Sequence, residues 1–326
     1  MNNIPHTPAE VEFPRVIRPI QILFAHDGSK HAQAAVEMLC DLPLAPESTV
    51  LVLAVVPTLD ISQATMLESA LDKSYACLHD RGLKVFTEIK GGIPAATIND
   101  YAQRDNPDII VLGAKGLRAT LGILLGGVAQ QVVEYSCCPV WVVRAPYQGI
   151  KRVLFVTDGS KSSQDALEFL SSPPLRDSNQ SPKVFPLPSG VDMRIMHVLP
   201  PSFSSEMVSR ALSAGPDVLF TLPQEPFDED EIKAEEESKG KELLGLAIAT
   251  LKSAGIQASS ILKRGDAATE IIKYVQENNI DLVVCGSRGL SQVSGWLLGS
   301  VSRKLVHYAD CSVLIVKSGL PSPRVA

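Results

Sequence analysis

Positive charge is not in excess. Against 36 Asp and Glu stand 30 Lys and Arg in 326 residues, a formal net charge of −6. This excludes broad electrostatic affinity for nucleic acid or an anionic membrane face, although not a local basic pocket. Long apolar runs are also missing: none approaches the roughly 18 residues of a helical membrane span, so a soluble, cytoplasmic chain is expected. The six cysteines show no metal spacing, since Cys137 and Cys138 are adjacent and Cys40, Cys77, Cys285 and Cys311 are scattered. Most lie in apolar periodic segments and read as buried free thiols, which suits a reducing compartment. The six histidines (His6, His26, His31, His79, His197 and His307) form no triad-like or metal-like set, and His197, on a strand, reads as a satisfied core or edge residue. A Walker A run and a GxGxxG are absent, which excludes a P-loop and a dinucleotide fingerprint. Met1–Pro19 contains four prolines and no basic-then-apolar order, so it reads as a loose lead-in and not a signal peptide.

What is present is a globular composition, 45% apolar and 20% charged, long enough for two domains with separate cores. The chain repeats itself. Ile22–Lys30 reads ILFAHDGSK and Val153–Lys161 reads VLFVTDGSK, at an offset of 131; Asp108–Gly116 (DIIVLGAKG) matches Asp281–Gly289 (DLVVCGSRG) at an offset of 173. Gly92 and Gly265, Gly126 and Gly299, and Cys138 and Cys311 keep the second offset. Self-similarity on this scale means one folded unit used twice. The expected units are 1–148 and 149–326. The second carries two insertions, near 171–190 and 201–230, both rich in Pro and Ser and read as exposed loops.

Within a unit, β-branched runs at Ile20–Ala25, Val50–Val56, Leu83–Ile89, Ile109–Leu112 and Val140–Val143 alternate with amphipathic helices. Ala32, Val36, Leu39 and Cys40 share one helical face; Val301, Leu305 and Val306 share another. Such alternation predicts an α/β fold with a parallel sheet covered on both faces. A further helix, from Asp228 onward, carries Glu–Lys pairs at four-residue spacing (Glu229 with Lys233, Glu235 with Lys239, Glu237 with Lys241), as expected of a solvated face.

The chemistry-bearing pattern follows the fourth strand of the second unit: G-x2-G-x9-G-S, made by Gly286, Gly289, Gly299 and Ser300. Glycines there let the backbone approach a ligand and adopt positive φ. Gly299 and Ser300 open a helix whose unpaired N–H groups and positive dipole end suit a phosphate. Asp158, after the first strand, reads either as part of that site or as a helix N-cap or turn aspartate.

With V-T-D-G-S at 156–160, M-H-V at 196–198, D-L-V-V-C-G-S-R-G at 281–289 and Gly299-Ser300 in place, the sequence resembles the ATP-binding branch of the universal stress protein family, across nearly all of both units. The resemblance implies two doubly wound sheets of strand order 3-2-1-4-5, with ATP (or AMP or ADP) at the carboxyl edge of the strands. It implies that Val156, Thr157 and Asp158 meet adenine and ribose, and that the backbone of Val198 holds the adenine edge. Gly286, Arg288, Gly289, Gly299, Ser300 and Val301 would surround the phosphates, and a divalent ion such as Mg would accompany them. It also implies packing of the two units through their last strands, Val140–Val143 and Val313–Val316.

The first unit departs from the pattern. Asp27, Gly113, Gly116 and Gly126 are kept, but Gly127 stands where Ser300 stands in the second, and Ala25-His26 replaces Val156-Thr157. A weaker or empty first site is expected. The functional expectation is a nucleotide-dependent stress sensor or regulator acting through an unidentified protein partner, with a further homodimer conceivable. A slow ATPase or nucleotidyl-transfer enzyme and a nucleotide-independent scaffold are the alternatives. The segment Leu290–Leu298, with Gly295, Trp296 and Leu297, is the expected ligand-ordered loop.

Overall fold

The computed structural model describes residues 16–17, 19–57, 61–116, 125–171, 183–201, 229–290 and 298–317. In the first domain, β2 (Gln21–Ala25), β3 (Thr49–Val56), β4 (Lys84–Gly91), β5 (Ile109–Gly113) and β6 (Val140–Val143) alternate with α1 (Lys30–Asp41), α2 (Ile61–His79), α3 (Pro94–Asp105) and α4 (Gly127–Tyr135). The second repeats this with strands β7 (Arg152–Val156), β9 (Asp192–Leu199), β10 (Ala258–Arg264), β11 (Leu282–Gly286) and β12 (Ser312–Val316). Its helices are α5 (Lys161–Ser171), α6 (Glu229–Ser253), α7 (Ala267–Asn278) and α8 (Ser300–Tyr308).

All ten strands lie in one sheet of order β10-β9-β7-β11-β12-β6-β5-β2-β3-β4. Each half therefore has the order 3-2-1-4-5, and all pairs within a half are parallel. The halves join where β12 runs antiparallel to β6, with Leu314 opposite Trp141, the junction expected from the apolar last strands. Central strands such as β11 are buried throughout, whereas the edge strands β4 and β10 show mostly exposed or half-buried positions. That gradient explains why the middle runs are continuous Val, Ile and Leu and the edges carry Lys, Glu and Ser. One face of the sheet packs α1, α2, α5 and α6 through Phe24, Leu39, Phe155 and Leu170. The other packs α3, α4, α7 and α8 through Ile98, Val132, Val275 and Leu305.

Two cations lock the halves together in a pseudo-twofold manner. Arg144, just past β6, donates through Nη2 to the carbonyls of Val306 (2.8 Å) and His307 (3.2 Å) at the end of α8. Lys317, the equivalent residue past β12, donates to Val133 (2.5 Å) and Glu134 (3.4 Å) at the end of α4. Each places positive charge on the negative end of the other domain's last helix. Arg303 of α8 adds an ion pair with Glu134 at 3.1 Å.

Three expectations need correction. Cys40 and Cys77 are not free: they form a disulfide between α1 and α2. Cys138, Cys285 and Cys311 are buried free thiols, and burial pushes Cys285 and Cys311 up to about 12. The first insertion is not simply an exposed loop, nor is the N-terminal lead-in wholly loose. Val16–Ile17 (β1) pairs in parallel with Lys183–Val184 (β8). Phe185 and Leu187 are buried, Phe185 packing on Trp141 and Phe169 at ring-centroid distances of 5.8 and 4.8 Å. The apolar residues of K-V-F-P-L-P outweigh the Ser and Pro around them. Most of the second insertion lies outside the described residues.

Candidate functional site

Strand one of each domain ends in a D-G-S turn that starts a helix. In the second domain Gly159 takes φ +77°, a conformation that excludes most side chains. Around it the polar atoms are tied down. The Thr157 hydroxyl accepts from the Gly159 N–H (3.3 Å) and donates to Ser163 (3.1 Å). Asp158 accepts from the Ser160 N–H (3.0 Å) with one oxygen and from the Leu290 N–H (3.1 Å) with the other. Asp158 is thus a turn aspartate that also fastens the loop after β11. The Ser162 hydroxyl accepts from the Arg288 N–H (3.1 Å), and the Ser302 hydroxyl donates to the Gly286 carbonyl (2.7 Å). His197 is satisfied, its Nδ1 lying 2.8 Å from the Thr157 carbonyl.

These bonds bring the sequence-predicted residues to one edge of the sheet. Val156, Thr157 and Asp158 end β7, Val198 lies near the end of its neighbour β9, and Gly286 ends β11 on the other side. This is the point where the strand order reverses, the position at which open α/β sheets form their ligand crevice. Gly299 is the N-cap of α8 and makes no side-chain cap hydrogen bond; Gly126 caps α4 in the same way. Ser300 and Arg288 are exposed at that edge, and Val301 is half-buried.

The motif glycines are not there for positive φ, as the sequence suggested; in the turns beside them that role falls to Gly28 and Gly159. They are there for close approach. A Cβ on Gly286 would stand 2.5 Å from the Ser162 carbonyl, and one on Gly289 would stand 2.7 Å from Asp158 Oδ2. In the first domain a Cβ on Gly113 would meet His31 at 2.7 Å, and one on Gly116 would meet Asp27 Oδ2 at 2.6 Å. Gly127 has open space around it, with nothing within 4 Å.

The first domain holds a cavity of about 670 Å³ at the ends of β2, β3 and β5, bounded by α2 and by the start of α4. That volume suits a small-molecule ligand. Gly113, Gly116, Gly126 and Gly127 line it together with Asp27 and His26. His26 is only 3% exposed and its Nδ1 accepts from the Gly28 N–H at 3.1 Å. Burial lowers its pKa, partly offset by Asp27, so the ring is neutral at pH 7. On α2, Leu67 and Ala70 face the cavity. Their counterparts on α6 are Gly240 and Leu243. A Cβ on Gly240 would lie 2.9 Å from Leu262 and 3.3 Å from His197, and a Cβ on Gly159 would lie 3.4 Å from Leu243. Helix α6 therefore approaches the sheet closely, and Leu243 covers the D-G-S turn of the second domain.

Sequence reasoning missed Ser162, Ser302, Gly240 and Leu243. The signal for Gly240 was available, because a glycine inside a long helical pattern asks for a packing reason. Residues 291–297, including Gly295, Trp296 and Leu297, lie outside the described residues, so the expected ligand-ordered loop is not described. Among the described residues there is no group of three or more His, Cys, Asp or Glu placed to hold a metal, and no helix is long and apolar enough to cross a membrane.

The universal stress protein family model matches residues 21–144 and again 149–317. The chain belongs to the universal stress protein family. A universal stress protein of Bacillus subtilis is 39% identical over 88 residues, 27% of this chain and 60% of that protein. One from Mycolicibacterium smegmatis is 27% identical over 248 residues, covering 74% of this chain and 72% of its own length. The match spans 60% of the Bacillus relative, and 46% and 40% of two archaeal ones. Among solved structures, a universal stress protein from Archaeoglobus fulgidus superposes with a TM-score of 0.60 at 20% identity. It covers 92% of this chain and 98% of that one, a likeness of fold.

Proposed function

We propose that this universal stress protein binds an adenine nucleotide, ATP or its mono- or diphosphate, at the carboxyl edge of its strands, and acts as a nucleotide-dependent regulator in the stress response. The observation that carries the reading is the close approach at Gly286, Gly289 and Gly299. There Gly286 packs on Ser162 of α5, Gly289 on Asp158 of the D-G-S turn and Gly299 on Ser287 and Arg288, beside a helix start that no side chain caps. The N–H groups of Arg288, Leu290 and Gly299 are already bonded within the protein, so a phosphate would meet the first N–H groups of α8, from Ser300 onward, which no side chain caps.

In this reading Val156, Thr157 and Asp158 take the adenine and ribose, and Val198 takes the adenine edge through its backbone. Gly286, Arg288, Gly289, Gly299, Ser300 and Val301 take the phosphates. Any divalent ion would arrive on the phosphates. The first domain offers the corresponding ring of Asp27, Gly113, Gly116, Gly126 and Gly127 around its cavity, so that it too is a candidate nucleotide site, with His26 in place of threonine. The unit boundary falls at 148–149, and the partner that reads the bound state is a protein.

The test is the nucleotide content of the purified chain. Protein released by heat should yield adenine nucleotide in stoichiometric or near-stoichiometric amount, and stripped protein should rebind it. A chain that carries none and rebinds none would overturn the proposal in favour of a scaffold; accumulation of ADP from ATP on incubation would favour the enzyme reading.

A further inference from the structure

The Cys40–Cys77 bond has no counterpart in the second domain. The repeat offsets put Ser171 and Thr250 at the corresponding positions, and both hydroxyls there bond to the carbonyl four residues back, Ser171 to Leu167 and Thr250 to Leu246. The bond lies at the ends of α1 and α2, with Cα atoms 6.6 Å apart, inside the range that disulfides span. Cys40 is buried, and Cys77 is half-buried in the last turn of α2, so Cys77 is the more exposed member of the pair.

Helix α2 is also a wall of the first domain's cavity. Met66, Leu67 and Ala70 line it, about two to three helical turns before Cys77. The two ends of this helix are held differently. Leu71, Ser74 and Leu78 are buried, whereas Met66 is 73% exposed and Leu67 and Ala70 are only half-buried. Leu67 still packs against the core, but its described neighbours Met66 and Ala70 add little burial, and elements so placed open most readily.

We propose that Cys40 and Cys77 form a reversible redox staple, which holds α2 against α1 and thereby sets the ligand affinity of the first domain alone. The oxidant is a low-molecular-weight disulfide. The Cys77 thiolate attacks one of its sulfurs, forming a mixed disulfide and expelling one thiolate. The Cys40 thiol then loses its proton to that thiolate, and its sulfur attacks Cys77 Sγ and expels the second thiolate, which takes the proton first lost by Cys77. Two protein thiols are oxidised by two electrons, and one small disulfide is reduced to two thiols. A dithiol reverses the sequence.

The ligand arm of this proposal rests on the nucleotide reading of the cavity; the staple itself does not. The experiment compares the full chain treated with glutathione disulfide and with dithiothreitol. Peptide mapping reads the cross-link, hydrogen exchange reads α2 and α6, and calorimetry with Mg·ATP reads binding. Oxidised protein should give a Cys40–Cys77 peptide and slow exchange across 66–79. Reduction should speed exchange there and leave α6 unchanged. If reduced α2 keeps its closed position between a tenth and a third of the time, affinity at the first site falls about three- to tenfold. Cys77→Ser should behave as the reduced chain under both treatments. No cross-linked peptide, or a cross-link whose reduction leaves α2 exchange unchanged, would overturn the staple. If the cross-link and the exchange respond but the first domain takes no nucleotide in either state, the staple stands and the nucleotide reading of that cavity fails.

Discussion

Replacing Gly286 by alanine adds one methyl group, yet the surroundings leave no space for it. The new Cβ would stand 2.5 Å from both the carbonyl carbon and oxygen of Ser162, and 2.6 Å from its hydroxyl. The obstacle is backbone in the first turn of α5, so no side-chain rotation relieves it. Moving that turn would strain the bond between Thr157 and Ser163 and the one from the Arg288 N–H to Ser162. Overpacking of this kind costs about 1–3 kcal/mol. For a domain of this size each kcal/mol lowers the melting midpoint by about 2–4 °C, so a fall of about 2–12 °C is expected. Gly127→Ser is the matched control, because open space and an ordinary backbone conformation surround it; it should stay within about 0.5 kcal/mol of wild type. Circular dichroism melts of both variants make the comparison. Coincident midpoints for Gly286→Ala and wild type would refute the argument that this glycine exists for close approach.

Ser300→Ala should weaken Mg·ATP binding to the second domain by about 10- to 150-fold, the worth of one hydrogen bond to a charged group; calorimetry reads it, and an unchanged isotherm would remove Ser300 from the phosphate site. Gly127→Ser should tighten binding to the first domain in the same assay, while two equal sites in the unmodified chain would contradict the expected asymmetry. Burial lowers the pKa of His26, so the folded value lies below the unfolded one. The stability it contributes is therefore full above about pH 6.5 and is lost as pH falls through the folded value. His26→Thr should remove that part of the acid loss, which urea midpoints at pH 7 and pH 5 would show; equal acid losses in the two proteins would refute it. Arg144→Met removes the donor shared by the Val306 and His307 carbonyls and should destabilise the chain by about 1.5–3 kcal/mol. An unchanged urea midpoint would mean that the cation contributes nothing to joining the halves.

The repeat made most of the fold legible. Two offsets in the sequence located the strands, the helices between them and the glycine pattern, and continuous Val, Ile and Leu runs marked the buried strands. The strand order was implied only by the resemblance, and the β6–β12 junction by the resemblance together with the apolar character of the last strands, because periodicity says which face of a strand is buried and not which strand lies beside it. Residue type misled where contact decided the outcome. Phe185 and Leu187 sit in a Ser- and Pro-rich stretch, yet they are buried against Trp141 and Phe169. Cys40 and Cys77 are 37 residues apart and become neighbours only when α1 and α2 pack together. At the candidate site the glycines were found for a partly mistaken reason: a strand-to-helix turn suggests positive φ, and only coordinates reveal that Ser162 and Asp158 leave no space for a Cβ. The contrast between Ala70 and Leu243 was invisible for the same reason, since both suit a helix and only packing shows which one covers a turn.

The most direct test of nucleotide binding at this edge is photolabelling of the nucleotide-stripped full chain with 8-azido-ATP, followed by peptide mapping. Nucleotide bound at this edge should place label on peptides carrying Val156–Asp158 or Val198, and on the corresponding first-domain peptides carrying Ala25–Asp27 or Val55, all suppressed by excess ATP. Label that excess ATP leaves in place, or that falls away from the carboxyl ends of these strands, would contradict it.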